Sequence, residues 1–393
     1  MKNKVICTLV ALWTFGGSTI AQEVKGRNLK INFPDIPGYM TLKADFHLHT
    51  VFSDGHVWPS FRVREAQKNG LDIISLTEHT DFESYPDEIE YHRERAFEIA
   101  QENAKNTDVL VVRGVEISPR VPPYHNNAIF LKNVDKIPYD YMKDSHKKFQ
   151  MKDNIKREEL LAPFNEVEKQ GGFVLYNHPN YNWWDKKDKE LFTDIHKELL
   201  NREILKGVEV ANSGRYNIIA HRMAEKYNLT MFSNSDEHHD IASVYEDSLR
   251  PMTLVFAKEK TEASILEALK ERRTLAFFRD YLVGRQRESE AFFKASVDIT
   301  AKRQKGKNTP TLKLVIKNNS DMPYQLKCTS EYIINDLPLG RLALKANASV
   351  ELLLDPVWEY PDFIALDVEV ENILVSPDEP LKTVLKVSTK EQL

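Results

Sequence analysis

Between Thr41 and Ala257 the chain repeats one pattern: a short apolar run ends in His, Asp, Glu or Asn, and a loop and an amphipathic helix lead to the next run. Strand-then-helix units of this kind build a parallel sheet covered by helices. Closed into a barrel, such a sheet gathers the C-terminal ends of its strands at one mouth, so side chains from distant parts of the chain meet there. The first strand ends in His47-Leu48-His49. Alternation along a strand puts both imidazoles on one face, where two neutral nitrogens can share a divalent metal. Asp54 follows in the turn Ser53-Asp54-Gly55. Taken alone, two histidines at this spacing describe a ligand pair and a pair of satisfied polar residues at a strand end equally well.

The later runs supply what the first lacks. Leu71 to Leu76 leads to Thr77-Glu78-His79, Val109 to Val115 to Glu116, and Ala128 to Leu131 follows His125. Phe173 to Tyr176 ends in Asn177-His178-Pro179, Gly207 to Ala211 in Asn212-Ser213 with Arg215 just beyond, and Thr230 to Ser233 in Asn234-Ser235-Asp236-Glu237-His238-His239. Met252 to Ala257 is the last run. Helices are expected near Pro59 to Lys68, Pro86 to Ala104, Arg157 to Gln170, Phe192 to Leu205, Tyr216 to Tyr227 and Thr261 to Arg272, with Pro59 suited to a first turn. Asn133 to Lys156 is lysine-rich without a sustained apolar period and reads as an insertion or lid over the site.

Beyond Ala295 the helical period disappears. Ser296 to Ala301, Thr311 to Lys317, Ser349 to Leu354 and Ile364 to Val370 alternate, separated by turn signals such as Lys305-Gly306-Lys307 and Asn318-Asn319. A small antiparallel β-sandwich over residues 295–393 is expected, and having no histidine it contributes no imidazole to a metal site. The larger unit occupies residues 41–290, preceded by an irregular strap over residues 22–40 that contains Pro34, Pro37 and Gly38.

Residues 1–21 have Lys2 and Lys4 before an apolar stretch and small residues near Ala21, the layout of a secretory signal peptide. The expected location is therefore periplasmic or extracellular. The apolar stretch is short for a membrane span and no second one follows. Cleavage removes Cys7 and leaves Cys328 alone, so core packing and metals rather than a disulfide must supply stability. The formal charge of −5 argues against a nucleic-acid polymer as partner. A small phosphorylated substrate remains compatible, because metals reverse the local field.

His47, His49, Asp54, His79, Glu116, His125, His178, Asp236 and His238 form a mixed nitrogen and oxygen set. It suits Zn, Mn or Fe better than Ca or Mg. The set exceeds what one ion can use, which implies two or three clustered divalent ions. Such clusters hold a bridging hydroxide and clamp the entering and leaving oxygens of an in-line displacement.

His47-x-His49-Thr-x-x-Ser-Asp54-Gly, Glu78-His79, Gly114-Val115-Glu116, Asn177-His178-Pro179 and Asp236-x-His238, in this order, resemble the polymerase and histidinol phosphatase (PHP) family. The resemblance runs from about Thr41 to Phe278 and implies a distorted (β/α)7 barrel. It places His47, His49, Glu116 and Asp236 on a first metal, Glu116 with His125 and His178 on a second, and Asp54, His79 and His238 on a third. Asp54 stands where some members carry His. Secreted bacterial members with a C-terminal β domain resemble phosphodiesterases for small organic phosphodiesters. That implies a phosphodiesterase working through a metal-bridging hydroxide, with a phosphomonoesterase as the alternative. Arg120 and Arg215 are candidates for the cation that meets substrate, or for structural ion-pair partners.

Several residues keep two readings. His239 is either a proton donor to the leaving group or a loop cap. Glu209 either orients a ligand imidazole or forms a buried ion pair. Tyr181, Trp183 and Trp184 either wall a substrate pocket or pack in the core. His56, His92, His146, His196 and His221 lie off the pattern and read as solvated. Two rival functions are an amidohydrolase, which would carry a bridging lysine where Glu116 stands, and a binding module with a vestigial barrel.

Overall fold

The computed structural model describes residues 30–85, 88–89, 92–142, 151–180, 191–246, 248–305, 310–335, 337–354 and 361–390. The expected signal peptide, Cys7, Pro86, His146, Tyr181, Trp183 and Trp184 lie outside the described residues.

The α/β half runs β1 (Met40–Leu48), α1 (Pro59–Asn69), β2 (Ile73–Leu76), α2 (Arg93–Ala104), β3 (Leu110–Ile117), β4 (Asn126–Ile129), α3 (Arg157–Gln170) and β5 (Phe173–Tyr176). It continues with α4 (Asp194–Asn201), β6 (Leu205–Asn212), a short β7 (Arg215–Tyr216), α5 (Ile218–Lys226), β8 (Thr230–Asn234), α6 (Ile241–Val244) and β9 (Met252–Ala257). α7 (Glu262–Lys270), β10 (Thr274–Phe278), β11 (Tyr281–Gly284) and α8 (Gln286–Ser296) complete it. β2, β5 and β9 are buried at every position, as strands covered on both faces must be, and their apolar residues are accordingly continuous rather than alternating. Pro59 starts α1, where its missing N–H costs nothing. Asn217 and Thr261 accept hydrogen bonds from the first-turn amides of α5 and α7, and Gly70 and Gly171 end α1 and α3 in the left-handed conformation.

The sheet is mixed, not wholly parallel as expected. β1, β2 and β3 are parallel, as are β5, β6 and β8. β4 lies between β3 and β5 antiparallel to both, and β9, β10 and β11 continue antiparallel from β1. An apolar run marks a strand but does not encode its direction, which is set by its connections. Among the described residues no backbone ladder joins β8 to β9 or β10, so the sheet does not close on itself through its ladders. Side chains bridge the seam instead. Ser233 N donates to Thr253 Oγ1 at 3.0 Å, Thr253 Oγ1 donates to Ser233 O at 2.9 Å, and Ser233 Oγ donates to Phe277 O at 2.8 Å. Thr274 Oγ1 donates to Met231 O at 2.8 Å.

The expected insertion is also different. Val134, Ile137 and Tyr141 are buried with Leu160, Phe164 and Val167 of α3, so the described part of this segment is core rather than lid. These apolar residues sit in turns rather than in a helix, so no regular period marks them among the surrounding lysines and aspartates.

The C-terminal half contains β12 (Val297–Lys305), β13 (Pro310–Asn318), β14 (Tyr324–Thr329), β15 (Ile334–Asn335), β16 (Arg341–Leu344), β17 (Ser349–Leu354), β18 (Phe363–Ser376) and β19 (Glu379–Ser388). One antiparallel sheet has the order β12-β13-β17-β15, the other β16-β14-β18-β19. Strict alternation in β14 buries one face and leaves the other in water. β18 also pairs in parallel with β11, Leu282 opposite Ile373 and Val283 opposite Leu374, so the second sheet continues the sheet of the α/β half. The apolar core is shared: Phe256, Phe277 and Phe292 belong to one cluster with Leu326, Val368 and Ile373. Among the described residues no helix is long and apolar enough to cross a membrane.

Candidate metal centre

β1 delivers His47 and His49 to the C-terminal end of the sheet, both fully buried. The loop after β1 folds tightly back on the strand. A Cβ on Gly55 would lie 2.6 Å from the carbonyl carbon of His49, so only glycine allows Asp54 to sit beside the histidines. β2 leads to His79 and β3 carries Glu116, with His79 and Glu116 paired across a parallel bridge. β8 leads to Asp236, whose φ of 53° is left-handed and turns its carboxylate towards β1 while its N–H donates to His47 O at 2.9 Å.

Glu116 is the hub. Its Oε2 lies 3.6 Å from His47 Nε2, 3.5 Å from His49 Nε2 and 3.0 Å from His79 Nδ1. Its Oε1 lies 2.9 Å from His125 Nδ1 and 3.7 Å from His178 Nε2. Asp236 Oδ1 approaches His47 Nε2 at 3.1 Å and His49 Nε2 at 3.2 Å, and its Oδ2 is 3.7 Å from His178 Nε2. Asp54 is 3.4 Å from His79 Nε2, 3.2 Å from His238 Nε2 and 3.6 Å from His49 Nδ1. The donor atoms of all nine expected ligands fall into four overlapping groups: His49, Asp54, His79 and His238; His47, His49 and Glu116; His47, His178 and Asp236; His79, Glu116 and His125. Relative to the expected division, His49 also faces the Asp54 group, and Glu116 also faces His79. Asp54 and His238 are 25% and 31% exposed while His47 and Glu116 are closed off, so the centre opens to solvent on the Asp54 side.

The residues fit metal ions. The Nε2 atoms of His47 and His49 are buried without a hydrogen-bond partner, which is costly for an imidazole unless a cation takes the lone pair. The electrostatics agree. Burial works against a charged His47 and His79, yet Asp236 and Glu209 around the first, and Glu116 and Asp54 around the second, hold both well above the ordinary imidazole value. Burial lowers His238 too, but Asp54 and Asp236 carry it up to about 9. His49 goes the other way: burial and the adjacent His238 push it down to about 3. Burial would raise Glu116, Asp236 and Asp54, but the surrounding imidazoles hold all three below the carboxylate range. Three carboxylates held anionic among six imidazoles form a site where protons and divalent ions compete for the same atoms.

A second layer fixes the first. Glu209, fully buried, accepts from His47 Nδ1 at 2.9 Å, from His178 N at 2.9 Å and from Asn234 Nδ2 at 2.9 Å, so it orients a ligand imidazole through an ion pair and both sequence readings meet in one residue. Glu78 caps the loop after β1, accepting from Thr50 Oγ1 and Ser53 Oγ at 2.6 Å each. Ser118 links His79 Nδ1, at 2.9 Å, to Asp81. Asn177 Nδ2 donates to Glu116 Oε1 at 2.9 Å. Asp45, held by Arg250 and Ser235, lies below the site. Arg62, 1% exposed on α1, donates to His49 O at 3.0 Å, to Glu237 O and His239 O at 2.7 Å each, and to Glu65 at 2.8 Å. Sequence reasoning passed over Arg62, Asp81 and Ser118; an arginine in a helix reads as surface, and no spacing rule marks the others.

Arg215 and His239 are not brought into the ligand groups. Arg215 is exposed on β7, and Arg120 is exposed beyond β3. His239 donates its N–H to Glu237 Oε1 at 2.9 Å, while its exposed ring stands edge-on to that of His56 with centroids 4.3 Å apart. His196 and His221 are fully buried, contrary to their reading as solvated. His196 Nε2 donates to Pro123 O at 3.0 Å, and burial outweighs that bond to bring it down to about 4. His221 bonds Tyr216 OH at 2.8 Å. Both lie on inward faces of helices, where a polar residue among apolar ones is easily taken for the outer face. His92 is half exposed beside Asp135.

A family model described as PHP domain matches residues 45–213, and one described as Ig-like domain matches residues 297–386. A solved two-domain protein from Bacteroides vulgatus, described as containing a predicted PHP-like metal-dependent phosphoesterase, is 33% identical, with a TM-score of 0.78, over 92% of this chain and 99% of that one. An uncharacterized protein of Methanocaldococcus jannaschii is 39% identical over 84 residues, 21% of this chain. The match spans only 36% of that curated relative. The likeness to the B. vulgatus protein extends through both halves, and the PHP match contains seven of the nine clustered side chains, so the chain belongs to the PHP family.

Proposed function

We propose that the protein is a metal-dependent phosphoesterase and, within that class, a phosphodiesterase for small organic phosphodiesters. The observation that carries this is Glu116, one buried carboxylate with five imidazoles within 3.7 Å and two further carboxylates beyond them. His47, His49, Glu116 and Asp236 would hold a first ion, Glu116 with His125 and His178 a second, and Asp54, His79 and His238 a third, in a distorted (β/α)7 barrel whose seam is bonded through side chains. Divalent ions of the Zn, Mn or Fe kind supply Lewis-acid charge for phosphoryl oxygens and an acidified water as nucleophile.

The chain's own work is to place these ligands and limit the remaining charge. Among the described residues, Arg62 and Arg250 are the buried guanidiniums bonded to the elements of the centre, and they are turned to backbone carbonyls and to Asp45 or Glu65. They are committed to structure. A monoester dianion needs more positive charge beyond the metals than a diester monoanion, and this supports the diester. Arg215 is our candidate for the cation that meets substrate, and His239 at the rim for a proton donor to the leaving group. Residues 1–21 lead us to place the mature protein in the periplasm or outside the cell.

The test is metal analysis of the purified protein, with hydrolysis of bis(p-nitrophenyl) phosphate and p-nitrophenyl phosphate after loading with Mn, Zn or Fe. Metal-dependent cleavage of the diester, abolished in His47→Ala and Asp236→Ala, is expected. Cleavage of the monoester alone would replace the reading by a phosphatase, and bound metal without either activity would overturn it.

A further inference from the structure

His47 and Asp236 reach the centre from distant parts of the chain. Among the described residues no ladder joins β1 to β8, and the single bridge between their ends is Leu48 with Glu237. Yet His47 Nε2 and Asp236 Oδ1 stand 3.1 Å apart. Ligands that share an ion must be held to within about 0.5 Å of their working geometry. Something other than a ladder sets this separation.

Asp45, fully buried on β1 two residues before His47, touches both sides. Its Oδ1 accepts from the N–H of His47 and from the N–H of Ser235, each at 3.2 Å. Its Oδ2 accepts from Ser235 Oγ at 2.5 Å and from Arg250 Nη2. One carboxylate therefore holds the backbone of the first ligand and both donors of the residue that precedes the second. Arg250, also buried, donates from Nη2 to Ser235 Oγ at 3.3 Å and from Nη1 to Asn69 Oδ1, at the end of α1, at 3.4 Å. Two arguments separate this arrangement from packing. A buried ion pair contributes little net stability, because desolvation offsets the attraction, whereas its charge-assisted hydrogen bonds are short and strong and so fix geometry. Asp236, moreover, has a left-handed φ of 53°. A non-glycine residue keeps that conformation where its surroundings over-determine it. The N–H of Asp236 is held by His47 O at 2.9 Å, and Ser235, from which its backbone departs, is held twice by Asp45.

We propose that Asp45 and Arg250 are positioning residues of the metal centre: the pair clamps β1 to the exit of β8 and so sets the separation of His47 and Asp236 at the ion they share. The inference rests on the metal reading of that centre. Neither residue touches the ion; both act through Ser235 and the backbone of His47.

The experiment loads the full-length protein with Co(II) and reads two quantities: the visible absorption spectrum, which reports ligand geometry, and the affinity of the tightest ion by competition with a chelator. The urea midpoint in excess chelator is measured alongside. Ser235→Ala removes one arm of the clamp and leaves the ion pair in place. Asp45→Asn combined with Arg250→Met removes the pair without leaving a lone buried charge. Both proteins are expected to hold the tightest Co(II) about 10- to 100-fold more weakly and to show an altered spectrum. A pair that served stability alone would move only the midpoint. Unchanged affinity and spectrum in either protein, whatever the midpoint does, overturn the proposal. Should the double variant fail to fold, Ser235→Ala decides by the same two readouts. If the unaltered protein binds no Co(II), the metal reading falls and the clamp with it, whereas tight binding with one spectrum shared by all three proteins removes the clamp alone.

Discussion

His47 shows how much a single side chain depends on the one behind it. Glu209 faces its Nδ1 at 2.9 Å, which leaves Nε2 as the ligand atom. Glu209→Gln keeps the shape and removes the charge, so metal affinity is expected to fall about 10- to 100-fold with the fold retained, measured by competition with a chelator. Unchanged affinity would mean that the pair only packs. Proton traffic gives a second expectation. Because His47, His79, His178 and His238 are all held above the ordinary imidazole value, metal binding at neutral pH must expel protons. Calorimetry in buffers of different ionisation enthalpy should show that release, and an absence of buffer dependence would contradict it. His196 works in the opposite sense, being neutral in the folded chain down to about 4 but protonating near 6.5 when unfolded. Between those values the unfolded chain binds more protons, so stability is complete above the upper value and is lost as pH falls towards the lower. His196→Asn is expected to flatten the fall in urea midpoint across that window, and an unaltered slope would count against it. The nine clustered side chains were legible because each ends or flanks an apolar run. His196 was not, because nothing in its neighbours' spacing says that α4 turns it inward, onto Tyr176.

At the level of elements, the ends of β5, β9 and α3 could be read from apolar length and from Gly171, but strand direction could not. β4, Asn126–Ile129, is a short strand like its neighbour β5 and runs against both β3 and β5. The seam beside β8 was equally hidden, since it rests on hydroxyls rather than on a ladder. Ser233 and Thr253 exchange two hydrogen bonds there, both fully buried. Thr253→Val preserves the shape but leaves Ser233 N–H and O without that partner, at a cost of about 1–3 kcal/mol for each group left bare. Urea unfolding should show a lowered midpoint with an unchanged slope; an unchanged midpoint would mean that the seam is closed by packing alone. The effect should reach the site, because β8 carries Asp236 two residues beyond Asn234. Arg62 acts on the same loop from the other side, bonding the carbonyls of Glu237 and His239. Asp236 is therefore placed by its backbone bond to His47 O, by the hydroxyl seam and by one arginine.

Over the whole molecule, a change from helical to alternating period marked where the β-rich half begins, and it suggested two separable units. That change records local geometry and contains nothing about what the new strands pair with. β18 takes β11 as a parallel neighbour, and Phe292 and Phe293 of α8 are buried in the core that holds Leu326 and Ile373. A chain ending near Ala295 would leave Leu282 and Val283 on an open edge and the apolar side of α8 in water, an arrangement that favours edge pairing and aggregation. The truncated protein is therefore expected to be insoluble or unfolded, whereas a truncated protein that is monomeric, cooperative and active would show that the sandwich is accessory. Truncation removes many contacts together, so the full-length Ile373→Lys variant is the sharper measurement. It places a charge at a fully buried position opposite Leu282, with no acidic residue among the partners given by the β11–β18 register. If the two halves share one cooperative unit, this single change at the junction should lower the melting of the α/β half together with that of the sandwich, in one transition, and reduce metal retention at a centre it does not touch. Two transitions, with only the sandwich displaced, would mean that the continuous sheet joins two units that unfold independently.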